Sequence, residues 1–399
     1  MTDGGAMDAF PATTRFLEGE VADGLFTRGT QVVLEQGGET VLALALGDDG
    51  RGTPVHHDTV FRVYCTIKPV TALAIARLVD DGTLDLDGPL AARLPQFRAL
   101  EDGEVTLRHV LDHTAGLHRP MAIELELMPP DRRPGHLEQV ARPSGWQVGA
   151  QAGYSEWFGW HVLGRLLEVT TGEELRGHLR RSVIEPLGLT DTWVGMTEDE
   201  YRATVARIGV NHDMRLLQAY PLLLERGVRM CTEVNPAHGG YSTARDLARL
   251  YGSILERLDG GGPAALPSAA TLHGFTSTSR PTTYDRVLDR ECAYGLGFMT
   301  ELEGHAFGPS PSASAFGHSG NVGSSFAWAD PAHDLAAAVV YNGVVDPESA
   351  LQRRPALVRA VYADLAAASE PPPDASIEPA GAHTDEPGGR LRDRFRRRR

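Results

Sequence analysis

Cys65 and Lys68 stand three positions apart, and on a helix that spacing places both side chains on one face. A helix start adds partial positive charge and unpaired N–H groups. That field and a neighbouring ammonium both favour a thiolate, the form of cysteine that attacks carbonyl carbon. The same N–H groups suit the oxyanion that develops during attack. Pro69 is tolerated only in a first turn, so the helix must begin close to Cys65. A C-x-x-K taken alone is more often a small buried cysteine in an apolar helix than a catalytic one, so the rest of the chain has to decide.

Other reactive-looking groups carry less. His109 and His113 are spaced for one helical face, but no H-E-x-x-H pattern surrounds them, and the reading is no metal. Ser319 lies in G-H-S-G-N, which lacks the final glycine of a nucleophile elbow. Gly239-Gly240 has no following lysine and reads as a turn, not a phosphate cradle. No cofactor is called for. Trp146, Trp157, Phe158 and Trp160 suit either a cleft lining or helix packing.

The elements that must hold Cys65 and Lys68 begin with an amphipathic helix over 8–25. Two β-rich runs around Gly37-Gly38 follow, a hairpin signal. A third strand is expected over Thr59 to Val63, then a buried helix from Cys65 to Val79 that ends at Asp81-Gly82. The stretch from about 85 to 260 is mostly helical, with an unpatterned part at 197–235 suited to a lid or cap and a glycine-rich joint at 259–263. Strands return around Pro331 to Asp334, and a helix over about 347–368 closes the fold. This order predicts an α+β architecture: an antiparallel sheet built from both chain ends, with a large, mostly helical insertion. The sheet lobe is expected at about 8–64 and 290–368, the helical lobe at about 65–260, and a disordered tail at 370–399.

The chain has 399 residues and a formal net charge of −15, which disfavours nucleic acid and anionic membranes as partners. Seven arginines crowd Arg390 to Arg399, a run read as a solvated end. Three cysteines, Cys65, Cys231 and Cys292, make no disulfide framework. The acidic start is no secretory signal, and no apolar run reaches the roughly 18 residues of a membrane span, so the expected location is the reducing cytoplasm.

Several ordered blocks then resemble the penicillin-recognising family of class C β-lactamases, D-Ala-D-Ala peptidases and their esterase and acyltransferase relatives. F-R-V-Y-C-T-I-K at 61–68 stands where the family has S-x-x-K, and D-G-T-L-D-L-D-G-P-L and L-R-H-V-L-D-H-T-A-G-L follow as in the family. Y-S-E at 154–156 is similar to Y-x-N. Later, L-L-E-V-T-T-G, P-L-G-L-T-D-T and G-G-Y-S-T-A-R-D-L also match, and His318-Ser319-Gly320 resembles a variant K-T-G. The resemblance covers roughly 8–368 and implies the β-lactamase-like fold. It implies that Cys65 is the nucleophile, Lys68 its proton partner and Tyr154 a general acid or base. His318, Ser319 and Gly320 would line the cleft, and the N–H groups of Cys65 and Asn321 would form the oxyanion hole. Two departures matter. Cys65 for serine yields a thioester, which tilts the chemistry from hydrolysis towards transfer. Glu156 for asparagine cannot donate to a substrate carbonyl, and is expected to pair with Lys68. Both count against β-lactamase activity.

The expected function is a cysteine acyltransferase, in specialised metabolism, that moves an acyl group from a small ester, a carrier-protein thioester or an acyl-CoA onto an amine or alcohol. An esterase or amidase at the same site and a non-catalytic binding protein are the alternatives.

Overall fold

The computed structural model describes residues 7–215 and 218–369, so the tail expected at 370–399 lies outside the described residues. An eight-stranded antiparallel sheet is formed by β1 (Gly29–Gln36), β2 (Glu39–Gly47), β3 (Arg280–Asp285), β4 (Arg290–Tyr294), β5 (Met299–Thr300), β6 (Phe316–Gly320), β7 (Ser325–Asp330) and β8 (Leu335–Tyr341). Their order is β2-β1-β8-β7-β6-β5-β4-β3. The two chain ends therefore meet near one side of the sheet, where β1 pairs with β8 and Val32 lies opposite Val339.

Both faces of β8 are covered, which is why L-A-A-A-V-V-Y is apolar throughout. Leu335, Ala337 and Val339 pack with Leu17 of α1 (Pro11–Asp23) and Leu357 of the C-terminal helix Pro347–Ser369. Ala336, Ala338 and Val340 join Leu247 and Ile254 of the helix Ala244–Leu258. The terminal helices are also tied by polar contacts. Asp364 accepts from the Ala12 and Thr13 amides at 3.0 and 2.8 Å, capping the start of α1, and Arg353 meets Glu20 at 2.6 Å.

The insertion is mostly helical, with α2 (Lys68–Asp80) buried at its centre and α3 (Phe158–Thr171) beside it. Among the described residues no helix is long and apolar enough to cross a membrane. Three expectations need correction. The sheet takes up the returning chain at Arg280 and not at about 290, because β3 is an exposed edge strand of R-P-T-T-Y-D whose outer face has no apolar alternation to read. The strand expected over Thr59 to Val63 is only Phe61–Arg62, and it belongs to a separate three-stranded sheet with Gly240–Ser242 and Trp193–Val194. The helix expected from Cys65 starts as a 3₁₀ turn, Tyr64–Ile67, before α2. The described part of the 197–235 segment, expected as a lid or cap and called the cap below, is a run of short pieces, among them the helix Glu198–Thr204, a turn Leu223–Arg226 and a helix Val228–Thr232.

His305 is buried with Nε2–H donated to the Ala293 carbonyl at 2.7 Å, and burial pushes its pKa down to about 4. The unfolded imidazole titrates near 6.5. The folded chain thus binds fewer protons between those values, so this group's stabilisation is intact above about pH 6.5 and is lost as pH falls towards 4. Thermal unfolding followed from pH 7 to 4 should show the midpoint falling through that window, and His305→Gln should make the fall shallower. An unchanged slope in the variant would remove His305 as a cause.

Candidate active site

The turn Tyr64–Ile67 is clamped between the large sheet and the small one. Val63 donates its amide to the Gly240 carbonyl at 2.9 Å and accepts from the Ser325 hydroxyl at 2.6 Å. Thr66 donates its hydroxyl to the Ser325 carbonyl at 3.2 Å. Both sheets approach so closely that a Cβ on Gly320 would stand 2.3 Å from the Val63 carbonyl oxygen, and one on Gly240 would stand 2.4 Å from Ile67 Cβ. Tyr64 enters the turn with a left-handed φ of 48°, a conformation that costs a bulky residue about 1–3 kcal/mol and persists only when its surroundings impose it. The next residue is Cys65, half-buried at the surface of the cleft.

Lys68 is fully buried at the first turn of α2. Its ammonium donates to the carbonyls of Ala237 at 2.7 Å and Glu156 at 3.1 Å and lies within hydrogen-bonding reach of Cys65. Burial lowers its pKa from the ordinary lysine value, against opposing pulls from Cys65 and Glu156. The rings of Tyr154 and Trp160 flank the ammonium at 5.2 and 5.4 Å. Tyr154 also reaches Cys65, and burial raises its phenol well above the usual range, with Cys65 adding to the rise. The phenol is therefore neutral at rest.

Tyr154 is placed by residues distant in sequence. Its amide donates to Asp285 Oδ1 at 2.9 Å, and Asp285 is itself buried against Arg280 at 3.2 Å. The flanking amides of Gly153 and Ser155 donate to the His113 carbonyl at 3.0 Å and to His113 Nδ1 at 3.1 Å. The His113 ring packs 4.7 Å from that of Tyr154. His113, which the sequence offers only as half of a weak metal pair, is thus a scaffold for Tyr154. Among the described residues there is no group of three or more His, Cys, Asp or Glu placed to hold a metal ion.

His318 of β6 lies with its ring 6.3 Å from that of Tyr154. A carbonyl only accepts, so the 3.0 Å contact between Nδ1 and the Ser319 oxygen places the proton on Nδ1. Burial holds the pKa well below the ordinary histidine value, with the Lys68 charge adding to it, and the ring is neutral. Ser319 and Asn321 are half-buried on either side of buried Gly320, and Asn321 and Val322 turn the chain through φ of 23° and 54°. Cys65, Lys68, Tyr154 and His318 are therefore brought together, with Ser319, Gly320 and Asn321 on the strand and turn beside Cys65.

Glu156 behaves differently from expectation. Its carboxylate does not pair with Lys68: Oε2 accepts from the Ala122 amide at 2.8 Å, and only its main-chain carbonyl meets the ammonium. Trp146, Trp157, Phe158 and Trp160 are all buried in packing, with Trp146 donating to the Thr114 carbonyl at 2.9 Å.

The model of the beta-lactamase family matches residues 17–362. The chain belongs to that family. An esterase/beta-lactamase of Mycobacterium tuberculosis, LipL, is 28% identical over 74% of this chain and 72% of its own length. A monacolin J acid methylbutanoyltransferase of Aspergillus terreus is 28% identical over 35% of this chain and 38% of its own. The structure of a penicillin-binding protein homologue from Caulobacter crescentus superposes with a TM-score of 0.73 at 29% identity, covering 90% of this chain and 98% of that one. This beta-lactamase-like chain is an enzyme, a hydrolase or an acyltransferase, which displaces the non-catalytic alternative.

Asp285 and the support that His113 gives Tyr154 were beyond the sequence, since neither sits at a recognisable spacing from Cys65. The thiols differ sharply in surroundings: Cys231 and Cys292 are buried, and burial raises both, Cys292 to about 11. Iodoacetamide at about pH 7–8 should label Cys65 selectively, as peptide mapping by mass spectrometry would show. Equal labelling of all three in the folded protein would contradict the site geometry.

Proposed function

We propose that the enzyme is a cysteine acyltransferase that forms a thioester on Cys65 and passes the acyl group to an amine or alcohol. The observation that carries this reading is the convergence of the Lys68 ammonium and the Tyr154 phenol on a half-exposed Cys65. Sγ attacks the donor carbonyl as the thiol proton passes into the Lys68–Tyr154 pair with Lys68 in its amine form, which burial makes more accessible. That pair returns a proton to the leaving group as the C–O or C–S bond of the donor breaks. In the second half the acceptor N–H or O–H loses its proton to the same pair, the acceptor atom bonds to the acyl carbon, and Cys65 leaves and is reprotonated. The amides of Cys65 and Asn321 are the proposed oxyanion donors. Because the Tyr154 phenol is neutral at rest, it enters as a proton donor and relay.

Donors with an ester, carrier-protein or CoA leaving group fit this chemistry, and the named activity of the Aspergillus relative is an acyl transfer of the same kind. A neutral His318 offers no charge to a substrate carboxylate, which favours neutral acyl esters over carboxylate-bearing lactams. Hydrolysis at the same site is the second reading, favoured by the esterase activity in the name of the mycobacterial relative.

Positioning can be worth roughly 7–11 kcal/mol to a bound acceptor, an advantage that loosely held water lacks. Intact-mass spectrometry should therefore find an acyl adduct on Cys65 that persists in buffer and discharges onto the correct acceptor. Product partitioning should favour the acyl-acceptor adduct over free acid for the wild type, and Cys65→Ser should abolish turnover or shift it towards free acid. Free acid alone with every acceptor, from an acyl-enzyme that turns over rapidly in water, would establish the hydrolase.

A further inference from the structure

Tyr64, the residue before the nucleophile, is held in its left-handed conformation by a buried polar network that reaches the cap. Its hydroxyl donates to Glu225 Oε1 at 2.7 Å and accepts from Asn211 Nδ2 at 3.2 Å. Arg62 donates to the same Glu225 oxygen at 2.9 Å, and its guanidinium lies 4.9 Å over the Tyr64 ring. Asn211 closes the circuit, its two N–H groups shared among the Tyr64 hydroxyl, Glu225 Oε2 at 3.0 Å and the Arg62 carbonyl at 3.2 Å. The other end of Arg62 donates to His238 Nδ1 at 2.9 Å. His238 follows Ala237, whose carbonyl takes the Lys68 ammonium at 2.7 Å. One carboxylate thus reaches both partners of the proposed reaction, through Tyr64 to Cys65 and through Arg62 and His238 to the Lys68 acceptor.

Glu225 is not part of the sheet framework. It sits in the cap turn Leu223–Arg226, beside Leu224, which is 85% exposed, while its own side chain is 14% exposed. The second carboxylate on Arg62, Glu126 at 3.3 Å, is 37% exposed and is not a partner of the Tyr64 hydroxyl, so it does not replace Glu225 in holding the turn. A tyrosine does not keep φ near 48° by its own preference. If it relaxed, the Cys65 thiol and amide would rotate together, away from Lys68 and Tyr154.

We propose that Glu225, acting through Tyr64 and Arg62, is a positioning residue of the acyl-transfer site, so that the cap holds the nucleophile in its reactive geometry. This rests on the reading of Cys65 as nucleophile. The test compares Tyr64→Phe, which deletes only the hydroxyl, with Glu225→Gln, which keeps the acceptor shape but removes the charge opposite Arg62. Pre-steady-state acylation by an activated ester is read as rate constant and half-saturation separately, beside the pH profile of Cys65 alkylation. Alkylation of Cys231 and Cys292 reports any general loosening.

The acylation rate constant should fall roughly 10- to 100-fold in both variants with half-saturation little changed. The alkylation profile of Cys65 should shift while Cys231 and Cys292 stay protected. Acylation and alkylation within twofold of wild type would overturn the proposal, and so would a change in half-saturation alone, which would make Glu225 a substrate contact. If Glu225→Gln exposes Cys231 and Cys292, Tyr64→Phe decides by itself; exposure in both variants means a structural role and also overturns it. Failure of the wild type to acylate, or turnover by Cys65→Ala, would instead remove the Cys65 reading and is told apart by that control.

Discussion

An ammonium group without solvent has three protons to place, and Lys68 places two of them on different segments of the chain beside Cys65. The carbonyls of Ala237 and Glu156 take two, from the loop before the Gly240–Ser242 strand and from the loop that carries Tyr154. Leaving a buried charge unpartnered is among the largest single costs a fold can bear, so each of these segments is held to its position around one nitrogen. Burial also lowers the lysine pKa, which brings Lys68 closer to a working proton acceptor than an exposed lysine would be. The constraint that organises the site is thus the same one that tunes it.

The remaining geometry follows from two sheets pressing on one turn. Gly320 and Gly240 are present because a side chain at either would strike Val63 or Ile67. These backbones confine the Tyr64–Ile67 turn closely, and the hydrogen bonds of the Tyr64 hydroxyl hold its left-handed conformation. Tyr154 arrives from the opposite direction, hung from Asp285 at the sheet edge and from His113 in the insertion. Cys65, Lys68 and Tyr154 are thereby supported by independent parts of the chain.

Electrostatically the pocket is unusual in what is neutral. His318, His113 and His238 are all buried and uncharged, and Lys68 is the one cation in contact with Cys65 among the described residues. The charge of Arg62 is directed away from the cleft, into Glu225 and Glu126.

From the sequence alone, the C-x-x-K at a helix start, the hairpin at Gly37-Gly38, the late strands around Pro331 and the closing helix were all legible, because each depends on local periodicity or turn chemistry. The ordered blocks made the fold legible as well, along with Tyr154 and His318. The sequence determined which chemical groups the site would contain. Only the tertiary structure decided how they are used. It turned the Glu156 carboxylate to the Ala122 amide and gave its carbonyl to Lys68, made His113 a support for Tyr154, and brought Glu225 of the cap to Tyr64. The physical reason is range: periodicity and capping act over a few residues, whereas the partners of a buried charge are chosen by which distant segments the packed fold brings within hydrogen-bonding distance.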